Sequence, residues 1–329
     1  MSVLKFKLAW LALAVTLLGP PYEASSANST SQVFIACASL IRGATNTEGV
    51  ITPVPLPFVR PSVFEGTVSQ INSNRIVVAT GAWVPNEFAL CYVEFASGQM
   101  AGVLTNDLNS LTLDSTPQVA LGVRFRIRPA HTIASVFGSG GAVTAGDTID
   151  TADNVLLFDA SIQATRTIFL STNNAPAWSD QDGADSADAN IPARHTVLVK
   201  RRATNDAILV AHGVVSPGAC SLNVFEGLNW LSTPCIGGSF GLDQLRLFNG
   251  NAVTGLGSGP DATTADTLVT FSPDGQTTTF FYSTASGFTG WRDLSLASAT
   301  TNRIGAGVPL LIHRQSPRQA FVWRSPIQP

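Results

Sequence analysis

The chain repeats itself at a spacing of 113 residues, and that spacing limits its fold more than any other feature. Thr151-Ala-Asp-Asn-Val-Leu-Leu-Phe158 returns as Thr264-Ala-Asp-Thr-Leu-Val-Thr-Phe271, and Trp178 returns as Trp291. His195-Thr-Val-Leu-Val-Lys-Arg201 matches Val308-Pro-Leu-Leu-Ile-His-Arg314 at the same offset. Thr167–Thr172 matches Thr279–Thr284 at 112, and Val136–Gly138 matches Leu247–Asn249 at 111. Ordered landmarks at nearly constant spacing mark a duplicated structural unit. A third, weaker copy upstream is the lesser of two readings of that region, the other being an unrelated β region. There Tyr92–Gly98 resembles Thr167–Thr172, and Gly122–Arg128 resembles the Arg-ending strand, without the tryptophan or the Thr-Ala-Asp lead-in.

Each unit reads as strands. Runs such as Arg75–Thr80, Tyr92–Phe95 and Thr165–Leu170 are rich in Val, Ile, Phe and Thr and are bounded by turn formers. In Val123–Arg128 the apolar residues Val123, Phe125 and Ile127 alternate with three arginines, one face for a core and one for solvent. Beyond the first residues, no fifteen-residue window holds a 3.6 period, and only short helical turns near Ile133–Phe137 and Leu242–Phe248 are expected. The fold class is all-β: duplicated β-sandwich or β-barrel-like units with short helical turns at most. The boundaries follow as a signal peptide (1–27), an N-terminal β region (28–130), a first unit (131–215), a linker with Cys220 and Cys235 (216–239) and a second unit (240–329). Trp178 and Trp291 are expected to fill the cores of their units, since tryptophan buries a large area.

The start of the chain carries an address. Lys5 and Lys7 precede an apolar run, Leu8–Leu18, too short to span a bilayer, which takes about 20 residues. Ser25-Ser26-Ala27 then completes the pattern of a cleavable signal peptide. The mature chain, Asn28–Pro329, keeps 17 basic and 21 acidic residues. No later segment reaches transmembrane length, so the protein is expected to be exported: periplasmic, cell-surface or secreted. Four cysteines in an exported chain favour disulfides over metal chemistry. Cys220–Cys235 is the favoured pair, with Cys37–Cys91 as the remainder, and buried free thiols are the alternative. Charged residues are only 12% of the chain, yet 45% are hydrophobic, which excludes disorder. The net charge of −3 excludes the basic footprint of a nucleic-acid binder.

Four segments resemble an uncharacterised exported β-rich paralogous family of verrucomicrobial bacteria. They are Phe64–Val68 with Ile76–Val78, Trp83 with Asn86–Phe88, Val93–Gly98 with Leu111–Asp114, and Gly305–Val308. The resemblance spans about residues 50–325 and implies export and β structure. It implies no catalytic residues.

Chemistry is sparse. His131, His195, His212 and His313 show no metal-ligand spacing, and no serine sits in a nucleophile elbow. The Gly-rich stretches at Gly138–Gly141 and Gly255–Gly259 lack the Lys-Ser/Thr of a phosphate loop. Glu65, Glu87 and Glu94 form no defensible pair. Asp180, Asp182, Asp185 and Asp188 cluster around Gly183, so an acidic calcium loop is the one metal site to weigh, against a plain solvated turn. No other cofactor is expected. The leading reading is an exported, non-enzymatic β protein with a structural or binding role and an envelope or extracellular partner. A secreted carbohydrate-binding or carbohydrate-active module is the alternative, and a calcium-stabilised adhesin-like module the third.

Overall fold

The computed structural model describes residues 33–326 except Thr47, residues 174–176, Pro217, residues 236–237 and Pro273. The signal-peptide reading, residues 1–27, lies outside the described residues. Two strands come first, β1 (Phe34–Ile41) and β2 (Val50–Pro55). Six more follow: β3 (Phe64–Asn72), β4 (Arg75–Val78), β5 (Cys91–Phe95), β6 (Met100–Asn106), β7 (Ser110–Leu113) and β8 (Arg124–Pro129). Then come β9 (His131–Thr132), the short helix α1 (Ile133–Phe137), β10 (Asn154–Asp159), β11 (Ala164–Ser171), β12 (Ala177–Asp180), β13 (Asn190–Ile191), β14 (Thr196–Arg201) and β15 (Ala207–Val214). The remainder is β16 (Ser221–Val224), β17 (Gly227–Ser232), β18 (Ser239–Gly241), a single 3-10 turn (Asp243–Leu245), β19 (Thr267–Phe271), β20 (Thr277–Ser283), β21 (Gly290–Asp293), β22 (Arg303–Gly305), β23 (Pro309–Arg314) and β24 (Phe321–Arg324). The all-β reading holds, with α1 capped by Thr132, whose side chain accepts from the Ser135 amide.

Two five-stranded sheets have matching strand orders. One antiparallel sheet has the order β12-β11-β10-β14-β2, and the other has β21-β20-β19-β23-β17. Each is faced by a two-stranded ribbon, β1–β15 or β16–β24, and by a shorter pair, β9–β13 or β18–β22. Apolar side chains fill each gap: Val54, Val155, Ile168, Val197 and Leu209 in the first unit, Leu231, Leu268, Phe280, Ile312 and Trp323 in the second. Gly259, in the second Gly-rich stretch, exchanges backbone bonds with Tyr282 and Thr284, as Gly146 does with Leu170 and Thr172. A Cβ at either glycine would fall within 2.6 or 2.7 Å of a backbone nitrogen, at Ala152 or Ala265 respectively, so both positions need glycine.

The first unit is split in sequence. Pro55 of β2 opposes Thr196, and Ser232 of β17 opposes Pro309. The equivalent strands β2 and β17 are therefore 177 residues apart, whereas β14 and β23 are 113 apart. The difference, 64, matches an insertion between β2 and β9. That insertion is β3–β8, a closed barrel of order β3-β4-β7-β6-β5-β8. Two differences from the sequence boundaries follow. β1 and β2 belong to the first unit's sheets, and residues 216–239, read as a linker, supply β16 and β17 to the second. The upstream region, weighed as a weak third copy, closes into a barrel. Bulges in β3 (Val68 to Gln70) and β6 (Val103 to Thr105) bend the strands, as closure requires.

The barrel interior is packed with Val68, Ile76, Val93, Phe95, Leu111, Phe125 and Ile127, with Trp83 and Phe88 in contact at 5.1 Å. Phe125 and Ile127 point inward as their alternation predicts. Arg128 departs from it. Its side chain is 1% exposed, because this part of the barrel wall lies against the two units. Arg128 Nε donates to Glu94 Oε2 at 2.6 Å and Nη1 to the Arg60 carbonyl at 2.8 Å. Glu94 also accepts from the Ser216 hydroxyl, and Tyr92, Val59, Ala130 and Val214 pack alongside.

The cysteines correct the disulfide expectation: Cys37, Cys91, Cys220 and Cys235 are all unbonded thiols. Topology explains it. β16 pairs with β24 and β17 with β23, so Cys220 sits beside Met100 of the barrel (Sγ to Sδ 3.9 Å) while Cys235 follows β17. Cys37 lies in β1 opposite Ala211, and Cys91 lies in the barrel opposite Pro129. Burial pushes the Cys91 and Cys220 thiols up to about 11, so both stay protonated and unreactive at neutral pH.

Candidate functional site

The acidic loop follows β12 and is organised by one of its four carboxylates. Asp180 Oδ1 accepts from the amides of Asp182 (3.1 Å) and Ala184 (2.9 Å), and Oδ2 accepts from Arg166 at 2.9 Å. The Arg166 hydrogen bond, followed by the Ala184 amide, holds the Asp180 carboxyl below its usual range. Asp185 Oδ1 turns to the Ala187 amide at 3.0 Å. Asp185, Ser186, Asp188 and Arg166 line a shallow, open depression, and Asp182 is exposed. The four acids do not converge. Among the described residues, no three His, Cys, Asp or Glu side chains are grouped where they could hold a metal ion.

The second unit builds the same hairpin with almost none of the charge. Asp293 Oδ1 accepts from the amides of Ser295 (2.9 Å) and Ala297 (3.0 Å), and Leu296 takes the positive φ that Gly183 takes in the first unit. The Ser186 amide bonds the Trp178 carbonyl at 2.8 Å, and the Ala299 amide bonds the Trp291 carbonyl at 2.9 Å. What the duplicates share is one carboxylate that ties a turn. Asp180→Ala is therefore expected to lower the melting temperature more than Asp182→Ala does. Calcium and a chelator should leave the melting temperature of the unaltered protein alike. Differential scanning calorimetry in each condition checks both statements, and a calcium-dependent rise lost in Asp182→Ala would restore the metal reading.

The strongest electrostatic structure lies elsewhere, in two matching buried locks. Asp153 is fully buried; its Oδ2 accepts from Arg201 Nη1 (2.9 Å) and the Thr144 amide (2.8 Å), and its Oδ1 from the Arg202 amide (2.6 Å). Asp266 repeats each contact at an offset of 113: Arg314 Nη1 at 3.1 Å, the Gly257 amide at 2.7 Å and the Gln315 amide at 2.8 Å. Arg201 and Arg314 also donate to the carbonyls of Ala142 and Gly255, at 3.1 and 2.9 Å. Arg318 adds a further bond to Asp266 at 2.5 Å. Sequence reading registered the Thr-Ala-Asp lead-in and the terminal arginine as separate landmarks and missed their pairing. Their joint recurrence was the available signal. The Glu94–Arg128 pair was missed too, since nothing local links those positions.

Three of the tryptophans face inward. Trp83, Trp178 and Trp291 are 7%, 4% and 1% exposed, which removes them as a ligand platform. Trp178 Nε1 donates to the Gly138 carbonyl at 2.9 Å, and Trp291 Nε1 to Asp243 at 2.8 Å. Phe137 lies 5.9 Å from Trp178, and Phe248 lies 6.3 Å from Trp291. The histidines are dispersed. His131 is buried edge-on to Phe58 at 5.4 Å, His195 bonds the Ala193 carbonyl, His212 is exposed on β15 and His313 is half-buried on β23. Glu65 bonds Arg126 at 2.8 Å, and Glu87 caps the Val84 amide at 3.0 Å. No helix among the described residues is long and apolar enough to cross a membrane. No family model matches the sequence, and no similar curated protein or solved structure is found.

Proposed function

We propose that this chain is an exported, non-enzymatic β protein that serves a structural or binding role in the cell envelope or outside the cell. One observation carries the reading. Asp153 and Asp266, Arg201 and Arg314, Trp178 and Trp291, and Asp180 and Asp293 each bond within their own unit, so what the duplication repeats is scaffold. The leader at residues 1–27 and the resemblance to the exported verrucomicrobial family point the same way. The carbohydrate-binding alternative would rest on Trp230 and Phe271, half-buried with rings 5.5 Å apart on the outer face of the second sheet.

Fractionation of cells expressing the whole chain tests the export half. Recovery outside the cytoplasm with Asn28 at the amino terminus is expected. Cytoplasmic protein that keeps residues 1–27 would overturn it. Incubation with polysaccharides is expected to release no reducing ends and to leave tryptophan fluorescence unchanged. A change abolished by Trp230→Ala would favour the alternative.

A further inference from the structure

The two units differ in one place that packing within a unit does not explain. The β16–β24 ribbon has four residue pairs, and its outer face carries Asn223 and Arg324. The equivalent β1–β15 ribbon has eight pairs, and its outer face carries no charge beyond His212. Phe34 (61% exposed), Leu40 (40%), Ile208 (65%) and Val210 (47%) stand there beside Ala36 and Ala38. The first unit's core uses only the opposite face, with Ile35, Cys37 and Ile41.

β1 also has a free edge: among the described residues, its only hydrogen-bonded neighbour strand is β15. The edges of the two five-stranded sheets are guarded in the ways that suppress unwanted pairing. β2 contains Pro53 and Pro55, β12 and β21 have four residues each with a charge, and β17 lies against the first unit through the Leu231–His195 bridge. Val33–Ile41 has no proline, glycine or charge.

We infer that the edge of β1 is the contact surface for a second copy of this chain, pairing β1 with β1 antiparallel across a two-fold axis. The strand is its own complement. A register centred on Cys37 sets Phe34 opposite Leu40 and Ala36 opposite Ala38, large against large and small against small. An isologous contact of this kind closes at two copies. With no charge on the strand, nothing there selects a partner of complementary charge. Eight residues span about 27 Å, so the area covered falls short of the roughly 1,200 Å² of a stable complex and the dimer should be concentration-dependent. This surface does not depend on the functional reading above.

Sedimentation velocity on the mature chain, from about 2 to about 200 µM, is the test. A shift from monomer to dimer is expected in that range, and Ala36→Lys/Ala38→Lys should remain monomeric with unchanged circular dichroism, because both sites are exposed and the lysines of the two copies would face each other. Hydrogen exchange of the unaltered protein gives a second readout: amides in 34–41 should slow at least tenfold at the higher concentration. A monomer throughout, a dimer that survives both lysines, or exchange in 34–41 that ignores concentration would each overturn the inference. So would a preference of β1 for an added unrelated β-strand protein over its own copy.

Discussion

Asp266→Ala is expected to cost about 3–5 kcal/mol, the range seen when one partner of a buried ion pair is removed. That is a large part of the 5–15 kcal/mol that holds an ordinary domain together. The reason is what is left behind. Asp266 accepts from Arg314, Arg318 and the amides of Gly257 and Gln315. Arg318 is 21% exposed and can turn to water, but the Arg314 guanidinium and the Gly257 amide are buried and cannot. Arg314 would stay at 0% side-chain exposure, over the Phe321 ring at 4.7 Å, without its carboxylate. Asp153→Ala should act in the same direction on the first unit, less strongly, because Asp153 has one arginine where Asp266 has two. Urea unfolding of both variants measures the order. A double change, Asp266→Leu with Arg314→Met, should recover much of the loss, since a buried ion pair seldom outperforms apolar packing of the same volume. A loss under 1 kcal/mol in Asp266→Ala would show that the lock does not hold the unit.

Acid is expected to weaken the fold between pH 6.5 and about 4. Burial, with the Arg60 charge adding to it, lowers the His131 imidazole from 6.5 to about 4, while a hydrogen bond to the Phe58 backbone opposes the shift. The unfolded chain therefore binds a proton that the folded chain refuses, and stability rises with pH across that window. The contribution is fully present above 6.5 and is lost as pH falls through about 4. A depression of that size corresponds to about 3 kcal/mol. His195, lowered mainly by burial, adds in the same sense. In His131→Phe the ring can keep its edge-on contact with Phe58 and has no Nε2 to leave without a partner. Urea midpoints at pH 4.5 and pH 7 should then draw together. An unchanged gap between those midpoints would assign the acid sensitivity to other groups.

Period and fixed offset made the strands, the two matching sheets and the inward Trp178 and Trp291 legible, because each is written in residues close together or at a constant spacing. Val123–Arg128 shows how far that goes. Alternation gave its two faces correctly, yet whether Arg128 meets water depends on the units that the barrel wall packs against. The split of the first unit was hidden for a related reason: β2 finds its partner only beyond the whole barrel. The cysteine pairing went astray because short spacing between Cys220 and Cys235 suggested a loop, while Cys220 lies before β16 against Met100 of the barrel and Cys235 comes only after β17. In the acidic loop, composition left a ligand cage open beside the plain solvated turn. One carboxylate in fact serves the turn, as its counterpart Asp293 shows with fewer charges around it.

The inserted barrel leaves the first unit close to where it departed. Phe58 and His131 touch across the gap, and Arg60 donates to the Ala130 carbonyl at 3.3 Å. In a chain emerging from its amino terminus, β1 and β2 appear first and wait without partners until β14 and β15 are made. The barrel shortens that wait in space, if not in time: once closed, it turns a long floppy loop into a clasp whose two ends already meet. The second unit needs no such clasp, since its strands follow one another without interruption. The two matching units thus have different assembly schedules, and the first is set by a barrel that belongs to neither.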